Sequence, residues 1–75
     1  MAILVDFELV REDSREVEYT FGYPTKDRLL VIQKESRQGR PLDGTEDMQY
    51  RKAFGKILRM QADGTTWPAG GSYAA

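Results

Sequence analysis

Apolar residues recur with a period of two through the first third of this 75-residue chain, and a single helical stripe occupies its last third. Residues 3–10 place Ile3, Val5, Phe7 and Leu9 on one side and Leu4, Asp6, Glu8 and Val10 on the other. Residues 15–21 repeat the pattern, with Val17, Tyr19 and Phe21 against Glu16, Glu18 and Thr20. Alternation with β-branched and aromatic content reads as half-buried strand. The polar stretch Arg11–Ser14 suits a hairpin connection, and Gly22–Asp27 contains the Gly and Pro of a turn. A third strand is read at 28–34, where Leu29, Leu30, Val31 and Ile32 are apolar on both faces. A strand beside a solvated face alternates. Either something covers the second face of this strand or its register shifts, and the pattern does not choose the inward pair. Turning Leu29 and Val31 inward would send Arg28 and Lys34 outward, toward the acidic groups of the first two strands.

The connection 35–44 is polar and longer than usual, which leaves room for a short fourth strand around Arg40-Pro41-Leu42. A helix is read over about 45–62. Asp43 with Glu46 three residues on forms a capping box, with Thr45 as the alternative cap. Tyr50, Ala53, Phe54, Ile57 and Leu58 fall at helical spacing on one stripe. Gly55 interrupts that helix at a cost of about 1 kcal/mol relative to Ala, which a close backbone approach would explain. Asp63-Gly64 is a stop signal, with Gly64 expected in the left-handed region. The expected fold is therefore α+β, an antiparallel three-stranded meander packed against one C-terminal helix. Residues 1–64 form one small domain and 65–75 a tail. The tail's end is expected to be mobile, while Trp67 carries too much apolar area to leave in water and should fold back. The expected core is Val5, Phe7, Val17, Tyr19, Phe21, Phe54, Ile57 and Leu58.

There is no His and no Cys. Disulfides and zinc sites are excluded, and the core must come from aliphatic and aromatic side chains or from oligomerisation. Ser14, Ser36 and Ser72 have no imidazole to activate them. Asp6 and Glu8 share a strand face about 7 Å apart, as do Glu16 and Glu18. Glycosidic chemistry on such a pair also requires a deep cleft, for which a domain this small has little material. Asp43, Glu46 and Asp47 cluster around Gly44 without the spacing of a calcium loop, and carboxylates there serve a helix start. The reading is non-enzymatic, with no metal, cofactor or small-molecule substrate. The apolar run at residues 3–5 stops at Asp6 with no Lys or Arg before it, so neither a secretory signal nor a membrane span is expected, and a cytoplasmic location follows as the default.

Net charge is −1, divided as −4 over residues 1–47 and +3 over residues 48–75. Three strands followed by one helix resembles, in topology, the sheet-reading DNA-binding domains of integrase N-termini and plant AP2 proteins, which lay the open sheet face in the major groove. The corresponding face here carries Asp6, Glu8, Glu16 and Glu18, which repel phosphate. Arg37-Gln38-Gly39-Arg40-Pro41 resembles the Arg-Gly-Arg-Pro core of an AT-hook, with Gln38 where the first arginine should stand. Arg51, Lys52, Lys56 and Arg59 form the better basic patch, on the helix. A nucleic-acid-associated regulator using that patch is the second reading. The first is a protein-interaction or accessory domain. Its candidate interface is an apolar strip on the open sheet face, drawn from Leu4, Val10 and Val31, extended by Tyr23 and covered by Trp67, by a partner protein or by a second copy in a homodimer.

Overall fold

The computed structural model describes residues 4–64 and 66–74. Leu4–Glu12 (β1), Glu16–Gly22 (β2) and Arg28–Gln33 (β3) form the antiparallel meander, and Gly39–Pro41 (β4) adds the short fourth strand. Met48–Asp63 is the helix, α1. The chain then does what its pattern did not announce: Gly70–Ala74 (β5) returns along the free side of β1, completing a five-stranded sheet of order β4-β3-β2-β1-β5. The architecture is α+β, one antiparallel sheet with one helix laid across β1, β2 and β5. No helix among the described residues is long and apolar enough to cross a membrane. Ile3, assigned by the alternation to the core face, lies outside the described residues.

Residues paired across an antiparallel ladder project to the same face. Phe7 pairs with Phe21, Tyr19 with Leu30 and Val17 with Ile32. That register turns Val5, Phe7, Val17, Tyr19, Phe21, Leu30 and Ile32 toward α1, all buried. The inward pair of β3 is thus Leu30 with Ile32. The turn that sets this register begins at Gly22, whose φ is +144° and where a Cβ would collide with the Thr25 carbonyl, so glycine is required. Arg28 consequently falls on the helix side, not on the open face. Its guanidinium lies 4.6 Å from the Phe21 ring centroid and donates to Asp43 and Asp47, each at 2.8 Å, and to the Thr45 carbonyl at 2.8 Å.

β1 runs two residues further than the alternation suggested, because Val10 is skipped in the pairing. Leu9 pairs with Tyr19 and Arg11 with Glu18, so the bulge moves Arg11 onto the acidic face. Asp13 closes the hairpin by accepting the backbone N–H groups of Arg15 and Glu16, each at 2.8 Å. The helix starts at Met48, later than expected, and its cap is Asp47, which accepts the Tyr50 N–H at 3.0 Å. Asp43 and Thr45 do not cap it; Asp43 is drawn instead to Arg28 and to the Thr45 N–H. At the other end Gly64 is extended rather than left-handed (φ −123°), and its N–H donates to the Met60 carbonyl at 3.2 Å. Tyr50, Ala53 and Ile57 are buried, while Phe54 and Leu58 are half-buried against the same core. A Cβ on Gly55 would meet no neighbour within 4 Å, so no backbone approach accounts for that glycine.

The tail is fastened by backbone and side chain together. The Tyr19 hydroxyl donates to the Pro68 carbonyl at 2.5 Å, and the Leu9 N–H donates to the Ala69 carbonyl at 2.8 Å. Trp67 packs against the core, with the Arg37 guanidinium 5.9 Å from its ring centroid. Residues 70–74 are therefore a strand rather than a mobile end.

Candidate interaction site

The five residues of the expected apolar interface do not form one patch. Val10 stands at the bulge, 51% exposed, at the hairpin end of the sheet. Tyr23, 50% exposed, stands in the turn at the opposite end. Val31 does face away from the helix but is only 5% exposed, flanked in register by Glu18 of β2 and Arg40 of β4. Leu4 is half-buried beside Ala74 of β5. Trp67 belongs to the helix side of the sheet, because it packs on the buried cluster. The open face keeps a smaller apolar corner, Leu29 with Leu42, whose N–H donates to the Leu29 carbonyl at 2.8 Å.

The acidic ladder of the open face is partly relieved from within, by one cation and by neutral hydrogen-bond donors. Arg11 donates to Glu16 at 2.6 Å, to Glu18 at 3.0 Å and to Asp13 at 2.7 Å. Gln33 donates to Glu16 at 2.9 Å and Ser72 to Asp6 at 2.5 Å. The relief expected of Arg28 thus comes from Arg11, while Lys34 pairs with Glu12 at 2.7 Å. Arg28 instead holds Asp43 and Asp47 below the ordinary carboxylate value, chiefly through its side-chain hydrogen bonds. Burial, by contrast, raises the Tyr19 hydroxyl and keeps it a donor.

The basic patch divides. Lys52, Lys56 and Arg59 lie at helical spacing along one flank of α1 and line a shallow hollow with Gly55 and Tyr73 of β5. The Lys52 ammonium sits 5.3 Å from the Tyr73 ring centroid. Arg51 points to the other flank. Arg40 lies in register with Val31 on the opposite face of the sheet, away from the helix. Arg37, the first arginine of the AT-hook-like stretch, is built into the fold: it adopts φ +60°, donates to the Leu58 carbonyl at 2.9 Å and bonds the Gln61 side chain. It satisfies a carbonyl of the last helical turns. The helix patch and the 37–40 loop therefore do not present one basic surface.

What the helix and the β3–β4 connection do create is a groove that pattern reasoning missed. It is open, holds about 450 Å³, and runs between α1 and Arg37–Gly39. Tyr50, Phe54 and Leu58 supply its apolar lining, with Arg51 and Glu46 at its rim. The Tyr50 and Phe54 rings stack at 5.5 Å and 6°. Gly39 makes the groove possible, since a Cβ there would stand 2.7 Å from the Phe54 ring. The available signal was the pairing of two half-exposed apolar helix positions, Phe54 and Leu58, at the margin of the stripe with a glycine in the facing loop. Among the described residues no group of three His, Cys, Asp or Glu side chains is placed to hold a metal, and no buried side-chain polar atom lacks a hydrogen-bond partner. Comparison with protein-family models, with curated proteins and with solved structures gives no match.

Proposed function

We propose that this chain is a small, non-enzymatic protein-interaction domain of the cytoplasm, and that its docking element is the groove between α1 and the β3–β4 connection. The observation that carries this reading is the Phe54 ring, stacked flat on the buried Tyr50 and, with Leu58, left half-covered by the chain's own residues. Seating one large apolar side chain there removes enough surface from water to be worth about 1.5–3 kcal/mol. Arg51 at the rim adds selectivity, because a carboxylate beside the apolar anchor finds a cation there. The partner that fits is a protein segment with one aromatic or branched aliphatic residue next to an acidic one.

The test is selection from a random peptide display library, followed by titration of the winning peptides. The expected winners combine an apolar anchor with Asp or Glu. Their affinity should fall about tenfold in Arg51→Glu and in Leu58→Gln, with circular dichroism unchanged, and hold in Leu29→Asp on the open face. Winners that are indifferent to Arg51→Glu and Leu58→Gln would remove the groove from the reading. A loss confined to Leu29→Asp would move the site to the apolar corner of the sheet.

A further inference from the structure

We propose that two copies of this chain associate edge to edge through β5, antiparallel about a two-fold axis, making one continuous sheet. This does not rest on the groove, which lies at the other side of the molecule. The Leu9 N–H donates to the Ala69 carbonyl, and the β1–β5 register continues as Phe7 with Gly71 and Val5 with Tyr73. In an antiparallel ladder alternate residues turn inward and outward. Ala69, Gly71 and Tyr73 therefore serve β1, and Gly70, Ser72 and Ala74 present their N–H and C=O groups to the outside.

Sheet edges are ordinarily protected by brevity, charge, proline or a bulge. The β4 edge has three of these protections: it is three residues long, carries the charge of Arg40 and ends in Pro41. The β5 edge has none. Gly-Gly-Ser-Tyr-Ala is five residues without charge or proline. Its row of alternating donors and acceptors is self-complementary when a second copy runs antiparallel. With Ser72 opposite Ser72 of the second copy, and Gly70 opposite Ala74, about six main-chain hydrogen bonds form. Small side chains at 70, 72 and 74 put no bulk in the way, which makes a second copy the occupant that fits.

The two-fold axis gives the association a signature in salt. It places both helices on the same face of the joined sheet. The flank carrying Lys52, Lys56 and Arg59, which overhangs Tyr73, then faces its counterpart across the seam. Like charges oppose the union, so screening strengthens it. Docking of the acidic open face on the basic helix flank would respond in the opposite sense.

Sedimentation equilibrium on the intact chain, from about 10 μM to about 1 mM, tests this in the range a small interface requires. The expected result is a monomer–dimer equilibrium that tightens between about 0.05 M and about 0.5 M salt. Ser72→Pro removes the outward N–H of both copies and should weaken the dimer about thirtyfold, two hydrogen bonds being lost. Ser72→Ala, which removes only the bond to Asp6, should leave association unchanged. Ala74→Pro, at an exposed strand end, removes the outward N–H that would donate to Gly70 of the second copy and should also weaken the dimer. If Ser72→Pro fails to fold by circular dichroism, Ala74→Pro decides. A monomer throughout the range, a dimer indifferent to both variants, or a dimer weakened by salt would each overturn the proposal.

Discussion

Arg28 shows how much one residue does in a chain this short. It closes the Phe21 ring, ties Asp43 and Asp47 together and so holds the loop that starts α1. Both carboxylates are held below their ordinary value of 3.8, chiefly by hydrogen bonds from Arg28. A group with a depressed folded-state value stabilises the fold above its unfolded value and loses that contribution as pH falls through the folded one. Stability is therefore expected to fall as pH drops below about 4. In Arg28→Met urea unfolding should show a smaller acid-limb decline and a lower midpoint at neutral pH. Gly55 stands at the opposite extreme. It is exposed, mid-helix, and open space surrounds the position a Cβ would take. Gly55→Ala is expected to raise stability by about 0.5–1 kcal/mol, read as a higher urea midpoint at unchanged slope.

At the scale of elements, the helix and the β3–β4 connection depend on a glycine of a different kind. Gly39 lies under Phe54, with 2.7 Å and 3.1 Å from a notional Cβ to the ring and to the Val31 carbonyl. Gly39→Ala should cost about 1–3 kcal/mol and displace the Phe54 ring, which heteronuclear shifts of the helix would register. The helix stripe itself was legible in sequence, because Tyr50, Ala53, Phe54, Ile57 and Leu58 recur at 3.6-residue spacing whatever they pack on. The cap was not. Asp43, Thr45 and Asp47 are all competent caps, and Asp47 holds the role because Arg28, fifteen residues or more away in sequence, bonds both Asp43 and Asp47 and so fixes where the loop ends.

For the whole molecule, the last strand is the one that closes the structure. β5 pairs with the first strand of the chain, Trp67 covers part of the core, and the Pro68 carbonyl receives the Tyr19 hydroxyl. A chain ending at Gly64 would lose all three and expose Phe7 and Tyr19. It should show no cooperative urea transition, since losing a half-buried Trp alone costs about 2 kcal/mol against a marginal total. Charge is also arranged at this scale. Arg11 pairs with Asp13, Glu16 and Glu18 at the hairpin end, one cation to three carboxylates, while Lys52, Lys56 and Arg59 form ion pairs with no carboxylate among the described residues. The uneven charge of the two halves thus becomes an acidic open sheet face and a basic helix flank.

Local patterns were enough for the three strands, the helix and the α+β class, because period and turn chemistry act within a few residues. They were also enough to place Val5, Phe7, Val17, Tyr19, Phe21 and Ile57 in the core. The inward pair of β3, the use of Arg11, Arg28 and Arg37 inside the fold, the groove over Tyr50 and Phe54, and the fifth strand were decided only by tertiary structure. Each depends on which partner lies across a ladder or a gap. Gly-Gly-Ser-Tyr-Ala has neither alternation nor strong strand propensity; it becomes a strand because β1 offers it an unpaired row of backbone donors and acceptors.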